Sequence, residues 1–171
     1  VPGPTPRLAA ELPDPERHLE AAFRQFSDPR VARWHWPGEL GGPRTREQTR
    51  EMLINDAVLL AAGEVGHWWW REQASREVIA QVGLNATDVE GESVVEVGWS
   101  VDPERWGEGF AGEAAGASIE WGFELAGLAR IVSFTMVENE ASQRVMQKLG
   151  MSHVREFTRA GLPHVLYELR R

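Results

Sequence analysis

The run Gly107-Glu108-Gly109-Phe110-Ala111-Gly112 carries its glycines in the spacing G-x-G-x-x-G. Glycine lets a chain turn tightly and lets an anion approach the backbone closely. Where a helix follows such a loop, unpaired N–H groups and the positive end of the helix dipole make a site for a phosphate or diphosphate. The spacing is best known from dinucleotide sites, where the loop leaves a strand directly and an acid about 20 residues on holds the ribose. Neither condition is met. Asp102-Pro103-Glu104-Arg105-Trp106 separates the loop from Val101, and Gly127-Leu128-Ala129-Arg130-Ile131 offers no acid where the ribose needs one. The nicotinamide reading fails. An anion site survives, and so does a loop that needs its glycines only to turn.

The rest of the chemical inventory is short. There is no cysteine, so thiol nucleophiles, thiolate metal ligands and disulfides are excluded. The five histidines show no metal-ligand spacing, and no metal is expected. A net charge of −8 argues against a nucleic-acid partner. No apolar run approaches the roughly 20 residues of a membrane span. Val1 to Leu12 lacks a basic region followed by an apolar core, so it does not read as a secretory signal and a cytoplasmic protein is expected. Of the eight tryptophans, Trp68-Trp69-Trp70 reads as strand core with one ring on the opposite face, and Trp34-His35-Trp36 stands apart.

These residues need elements to hold them. Thr5 to Leu12 reads as a first strand. Asp14-Pro15 opens a helix to about Phe26, with Asp as the cap and Pro at the first helical position. Asp28-Pro29 starts a short helix, broken at Trp36-Pro37-Gly38. Thr45-Arg46-Glu47-Gln48 is a capping box for a helix to about Ala62. Two strands follow, Gly66–Glu72 and Arg76–Asn85, then the turn Asp88-Val89-Glu90-Gly91 and a third strand, Glu92–Val101. A helix from about Gly109 to Ala126 places Phe110, Ala114, Trp121 and Leu125 along one face. Arg130–Val137 is a strand, Ser142–Leu149 a short helix stopped by Gly150, and the chain ends in a hairpin around Ala160-Gly161-Leu162. With 171 residues and no linker or repeat, this is one domain. The order predicts an α+β fold with a mixed, mostly antiparallel sheet of about seven strands and helices on both faces.

The segments "VEVGWSVDPERWGEGFAGEA" and "ARIVSFTMVENEASQRVMQKLGM" resemble the GNAT N-acetyltransferases, nearest the RimJ/RimL type that acetylates ribosomal-protein N-termini. The superfamily loop pattern Q/R-x-x-G-x-G/A aligns on Trp106-Gly107-Glu108-Gly109-Phe110-Ala111, with Trp in place of Gln or Arg. Asn139-Glu140-Ala141-Ser142 matches N-x-x-S, and Lys148-Leu149-Gly150-Met151 matches K-L-G-F/M. Fainter agreement covers nearly the whole chain. The resemblance implies acetyl-CoA as cosubstrate. Its diphosphate would lie on the backbone of Gly107, Glu108, Gly109, Phe110, Ala111 and Gly112, and its pantetheine arm along Trp99, Ser100 and Val101. Trp106 and Asn139 belong to the same implied contacts. The acceptor would be a small-molecule or peptide amine, and homodimer formation is left open.

Amine acetylation needs a neutral attacking nitrogen, a stabilised thioester oxygen and a proton for the leaving thiolate. Many relatives supply the last from a tyrosine in the slot that Met146 fills here. Ser142, one turn earlier, is then the acid of the resemblance, unless it only caps its helix. Glu96 leads as base, because strand alternation puts it on the face of Gly98 and Ser100, opposite Val95 and Val97. That face either lines a cleft or meets water. Glu138 and His35 follow it. Asn139 is a cofactor contact or an N-cap. Trp34, His35 and Trp36 wall an acceptor site or pack the core. The competing reading is an acyl-CoA-binding module without catalysis, which the missing tyrosine keeps in play.

Overall fold

In the computed structural model, which describes residues 1–171, side-chain caps start the first three helices. Asp14 accepts from the N–H groups of Glu16 and Arg17 to open α1, Pro15–Phe26. Asp28 does the same for α2, Pro29–His35, through Arg30 N–H. Thr45 and Gln48 close a reciprocal capping box at α3, Arg46–Ala61. Each cap satisfies donors that a helix start otherwise leaves unpaired.

Seven strands form one sheet in the order β1-β2-β3-β4-β5-β7-β6. They are β1 Leu8–Glu11, β2 His67–Glu72, β3 Val78–Val89, β4 Glu92–Val101, β5 Arg130–Met136, β6 Ser152–Arg159 and β7 Leu162–Arg170. Every pairing is antiparallel except β4 with β5, which run parallel and share one register pair, Glu96 with Val132. Parallel neighbours need a crossover, here through α4, Phe110–Glu124. The last helix, α5, spans Glu140–Lys148.

Helices cover both faces. Leu19, Ala22, Phe26, Val31 and Leu53 of α1 to α3 enclose Trp69 on one face. On the other, Phe110, Ala114, Ala115 and Ile119 of α4 and Met146 of α5 pack with Trp68 and Trp70. The tryptophan triplet thus splits between the two cores as strand alternation requires, and all three rings are at most 1% exposed. No helix is long and apolar enough to cross a membrane.

Three local expectations are corrected. β3 continues through Asp88 and Val89, so the turn is Glu90-Gly91 alone. Both turn residues take positive φ, 53° and 86°, the conformation that matches the twist of a two-residue hairpin. The helix expected to reach Ala126 ends at Glu124, and Leu125, placed on its apolar face from the sequence, is 74% exposed. The buried stripe of α4 runs instead through Phe110, Ala114, Ala115, Ser118, Ile119 and Gly122. Finally, α5 begins at Glu140 rather than Ser142 because Asn139 caps it.

Candidate active site

The glycine loop joins β4 to α4 after a 3₁₀ turn at Pro103–Arg105. Gly107 and Gly109 have φ of 83° and 87°, the left-handed region that residues with a Cβ rarely adopt. Gly109 is the N-cap of α4 and has no side chain to offer. The first backbone bond of the helix is Glu113 N–H to Gly109 O, at 3.2 Å. The N–H groups of Phe110, Ala111 and Gly112 therefore have no acceptor within the helix, and they leave its end as a cluster of donors.

Two arginines brace this loop. Arg7 lies 4.2 Å and Arg105 4.8 Å from the Phe110 ring centroid. Arg7 donates to Glu113 Oε2 at 2.7 Å and to the Glu108 carbonyl at 3.0 Å. Arg105 donates to Glu72 and Glu108, both at 2.8 Å. Its guanidinium holds the Glu72 carboxyl down at about 2, with help from Ser75. Phe110 itself is 2% exposed, so only its backbone can meet a ligand. Trp106 stands 46% exposed beside the loop, and its Nε1 donates to the Val101 carbonyl at 2.8 Å.

The strand residues proposed for the pantetheine arm divide between the faces of β4. Trp99 packs against the core under α4, and Val101 is buried in it. Ser100, expected along the pantetheine arm, is buried on the opposite face. Its hydroxyl accepts from Gln25 Nε2 at 2.7 Å. Any approach to this segment is left to the β4 backbone where β5 departs from it.

Glu96 sits in the middle of β4, at the one register pair with β5. It shares its face with Gly98 and with His67, whose strand neighbours are Gly83 and then Gly98. His67 Nδ1 meets Asp56 Oδ1 of α3 at 3.1 Å. Glu96 and His67 are half-buried and His35 is exposed at the rim beside them, as groups lining a cleft are. Desolvation raises the Glu96 pKa to about 7, against the opposing charges of His67 and Arg159 and a hydrogen bond from Asn85. Desolvation lowers His67, but the hydrogen bond its ring donates to Asp56 and the charges of Asp56 and Glu96 reverse it, and the net direction is up. His35 is lowered by desolvation and by the charge of His67.

Of the residues expected to wall the acceptor, His35 joins this cleft. Trp36 packs edge-on against Phe26 with ring centroids 5.3 Å apart, and Arg44 covers its other side at 4.2 Å. Trp34 is half-buried under Arg33, at 4.3 Å. Glu138 is exposed beyond the end of β5.

At α5 the cap is Asn139. Its Oδ1 accepts from Ser142 N–H at 3.2 Å, and its Nδ2 donates to Thr135 Oγ1 at 3.0 Å. The Ser142 hydroxyl takes no part in the cap. Met146 is 1% exposed in the main core. Tyr167, distant in sequence, lies beneath the same helix with its hydroxyl 3.4 Å from Gln143 and Gln147.

Sequence reasoning passed over His67 and Asp56. The alternation of His67 with Trp69 places it on one face of β2, but which residues of β3 and β4 lie beside it depends on register, and no local pattern encodes that.

A family model for the acetyltransferase (GNAT) domain matches residues 7–152. The chain is 30% identical over 135 residues to the N-acetyltransferase YoaA of Bacillus subtilis, covering 79% of this chain and 74% of that one. It is also 30% identical over 159 residues to the FsC-acetyl coenzyme A-N(2)-transacetylase of Aspergillus fumigatus, covering 85% and 63%. The fold matches a solved structure of the RimL ribosomal L7/L12 α-N-protein acetyltransferase in complex with coenzyme A. That match has a TM-score of 0.81 and 17% identity and covers 98% and 96% of the two chains.

Proposed function

Since the chain belongs to the GNAT acetyltransferase family, we propose that it moves an acetyl group from acetyl-CoA to a primary amine, on a protein N-terminus or a small molecule, by direct attack in a ternary complex. The observation that carries this reading is Glu96, a carboxyl with its pKa raised to about 7 at the point where β4 and β5 part. A base whose pKa lies near the operating pH is both ionised often enough and basic enough to take a proton from an ammonium.

The fit to the cosubstrate rests on the start of α4. Three unpaired N–H groups at Phe110, Ala111 and Gly112, approached past two left-handed glycines, suit a diphosphate. Acetyl-CoA, when bound, supplies the activated acyl carbon. The chain's own residues do the rest. Glu96 takes a proton from the acceptor nitrogen, directly or through water. The β4 backbone beyond Glu96 aligns the donor. Ser142, whose hydroxyl is free of the helix cap, gives a proton to the departing thiolate. His35 and Trp34 border the acceptor.

The test is product formation. Purified protein is mixed with acetyl-CoA and a panel of peptide and small-molecule amines. Free thiol is measured, and acetylated amine is identified by mass. Stoichiometric thiol and acetyl-amine support the proposal. Tight acetyl-CoA binding with no thiol released from any amine supports a binding module instead.

A further inference from the structure

His67 enters β2 where two strands run unusually close. A Cβ on Gly83 would lie 2.4 Å from Gly66 O and 2.5 Å from His67 Cα, so only glycine permits that approach. The imidazole is thereby held over β4. Its Nε2 is the one atom within 4 Å of where a Gly98 Cβ would stand, at 3.8 Å. The ring edge thus borders open space beside Glu96 on the same face of β4. On its other side, Nδ1 meets Asp56 Oδ1 at 3.1 Å, and Asp56 Oδ2 accepts from Gln81 Nε2 at 2.9 Å.

Asp56 is 8% exposed and Gln81 7%. Burying such groups costs free energy that an apolar side chain would not, unless their partners compensate. Here β3, α3 and β2 each contribute one member of a hydrogen-bonded chain, Gln81 to Asp56 to His67. With Nδ1–H directed to Asp56, Nε2 is left as the acceptor that faces the cleft.

We propose that Asp56 and His67 form the outer half of a proton relay whose inner member is Glu96. The inference rests on the amine-acetylation reading of this cleft. The acceptor ammonium gives its first proton to the Glu96 carboxylate. Glu96 passes it to His67 Nε2, directly or through water, while Asp56 stabilises the imidazolium. His67 then releases it to solvent through its exposed edge and returns to neutral. The second nitrogen proton is shed as the N–C bond forms and the C–S bond breaks. It balances the proton taken by the thiolate, so each turnover releases one proton. His67 acts through Glu96 and is a positioning residue rather than a catalytic one.

The electrostatics fit this transfer. Burial holds Glu96 at about 7, and Asp56 and Glu96 together lift His67 above its ordinary value, so the imidazole accepts a proton more readily than a free one would. The other groups facing the pair are His35 from α2, Asn85 and Gln81 from β3, and Arg159 from β6, which acts on Glu96.

The experiment begins with NMR titration of the histidine rings in the wild type, Glu96→Gln and Asp56→Asn. The His67 pKa should fall by about one pH unit or more in each variant, the size expected when a nearby charge is removed. An unchanged His67 titration in Glu96→Gln overturns the relay, whether or not any amine is turned over. The second arm is the pH profile of kcat in His67→Gln, with melting temperature recorded on the same preparation. Turnover near neutral pH should drop about tenfold or more, below or at the lower edge of the range for acid–base groups. The acidic limb should move to higher pH, because Glu96 loses the imidazolium that lowers it. A normal melting temperature with an unshifted limb overturns the relay. Absence of wild-type turnover with every amine defeats the acetylation reading instead, and the ring titrations still decide the coupling.

Discussion

At the scale of single residues, the cleft puts stability and activity in opposition. Glu96 has a folded-state pKa of about 7 against an ordinary 4.5. The folded state therefore holds this proton more tightly than the unfolded chain does. The stabilisation is complete below about pH 4.5 and is lost as the pH rises through 7. Glu96→Gln keeps the neutral shape at every pH. It should melt with the wild type in mild acid and above it at pH 8, by on the order of 1–2 kcal/mol after allowance for its open side, or a few degrees. The same variant should lose turnover by about 10²-fold or more at neutral pH and recover toward wild type where the amine is already neutral. Thermal melts and rate profiles across pH 5–9 check both halves, and equal loss of rate at every pH would assign Glu96 a structural role. Ser142 and Asn139 separate just as cleanly. Asn139, not Ser142, accepts the N–H at the start of α5. Ser142→Ala should leave the melting temperature near wild type while cutting turnover. Asn139→Ala should cost about 1 kcal/mol of stability through the lost cap. Melting curves and kcat on the two variants decide it, and a destabilised Ser142→Ala with normal turnover would contradict the acid role.

At the scale of elements, local chemistry was legible and register was not. The caps at Asp14, Asp28 and Thr45 could be read from side chains that bond within three residues, and α1 begins and ends where they predict. The span of β4, Glu92–Val101, followed from alternation. The Glu90-Gly91 turn was drawn two residues too long because Asp favours turns and here continues a strand. The cleft was half visible. Glu96, His35 and the glycine loop stood out by type and position, whereas Asp56 and His67 meet only through packing of α3 on β2. Ser100 and Phe110 sit within the proposed cofactor segments, yet their side chains are taken up by Gln25 and by the core. The loop also alters how it should be probed. Gly109 has positive φ, so a Val there strains the backbone as well as blocking a ligand. Gly112 lies within the first turn of α4, and a Cβ on it meets nothing within 4 Å. Gly112→Val should fold normally and weaken acetyl-CoA binding measured by calorimetry. An unchanged dissociation constant would remove the start of α4 from the site. A second element-level link is Glu11 of β1, held at about 2 by Arg71 of β2, with His18 of α1 also bonded to it. Its stabilisation is present above about pH 4.5 and lost as the pH falls toward 2. The melting temperature of Glu11→Gln should lie below wild type at pH 7, and the gap should close in acid.

At the scale of the whole molecule, one sheet separates two tasks. The loop and α4 lie on the side of the main core and present donors suited to a diphosphate, while on the other side α2 and α3 bring His35 and Asp56 to the cleft where His67 of β2 and Glu96 of β4 lie. The single β4–β5 register pair is where the two sides meet. On the proposed reading donor and acceptor are bound together, since a chain without cysteine has no thiol to carry the acetyl group between them. The alternative is a fold that binds the donor and does no chemistry, which the buried Met146 in place of a tyrosine would suit. The most direct measurement is the initial rate of thiol release with acetyl-CoA and a responsive amine both varied. Direct attack in a ternary complex predicts double-reciprocal lines that intersect. Parallel lines, or acetyl-CoA bound tightly with no thiol released for any amine, would contradict it.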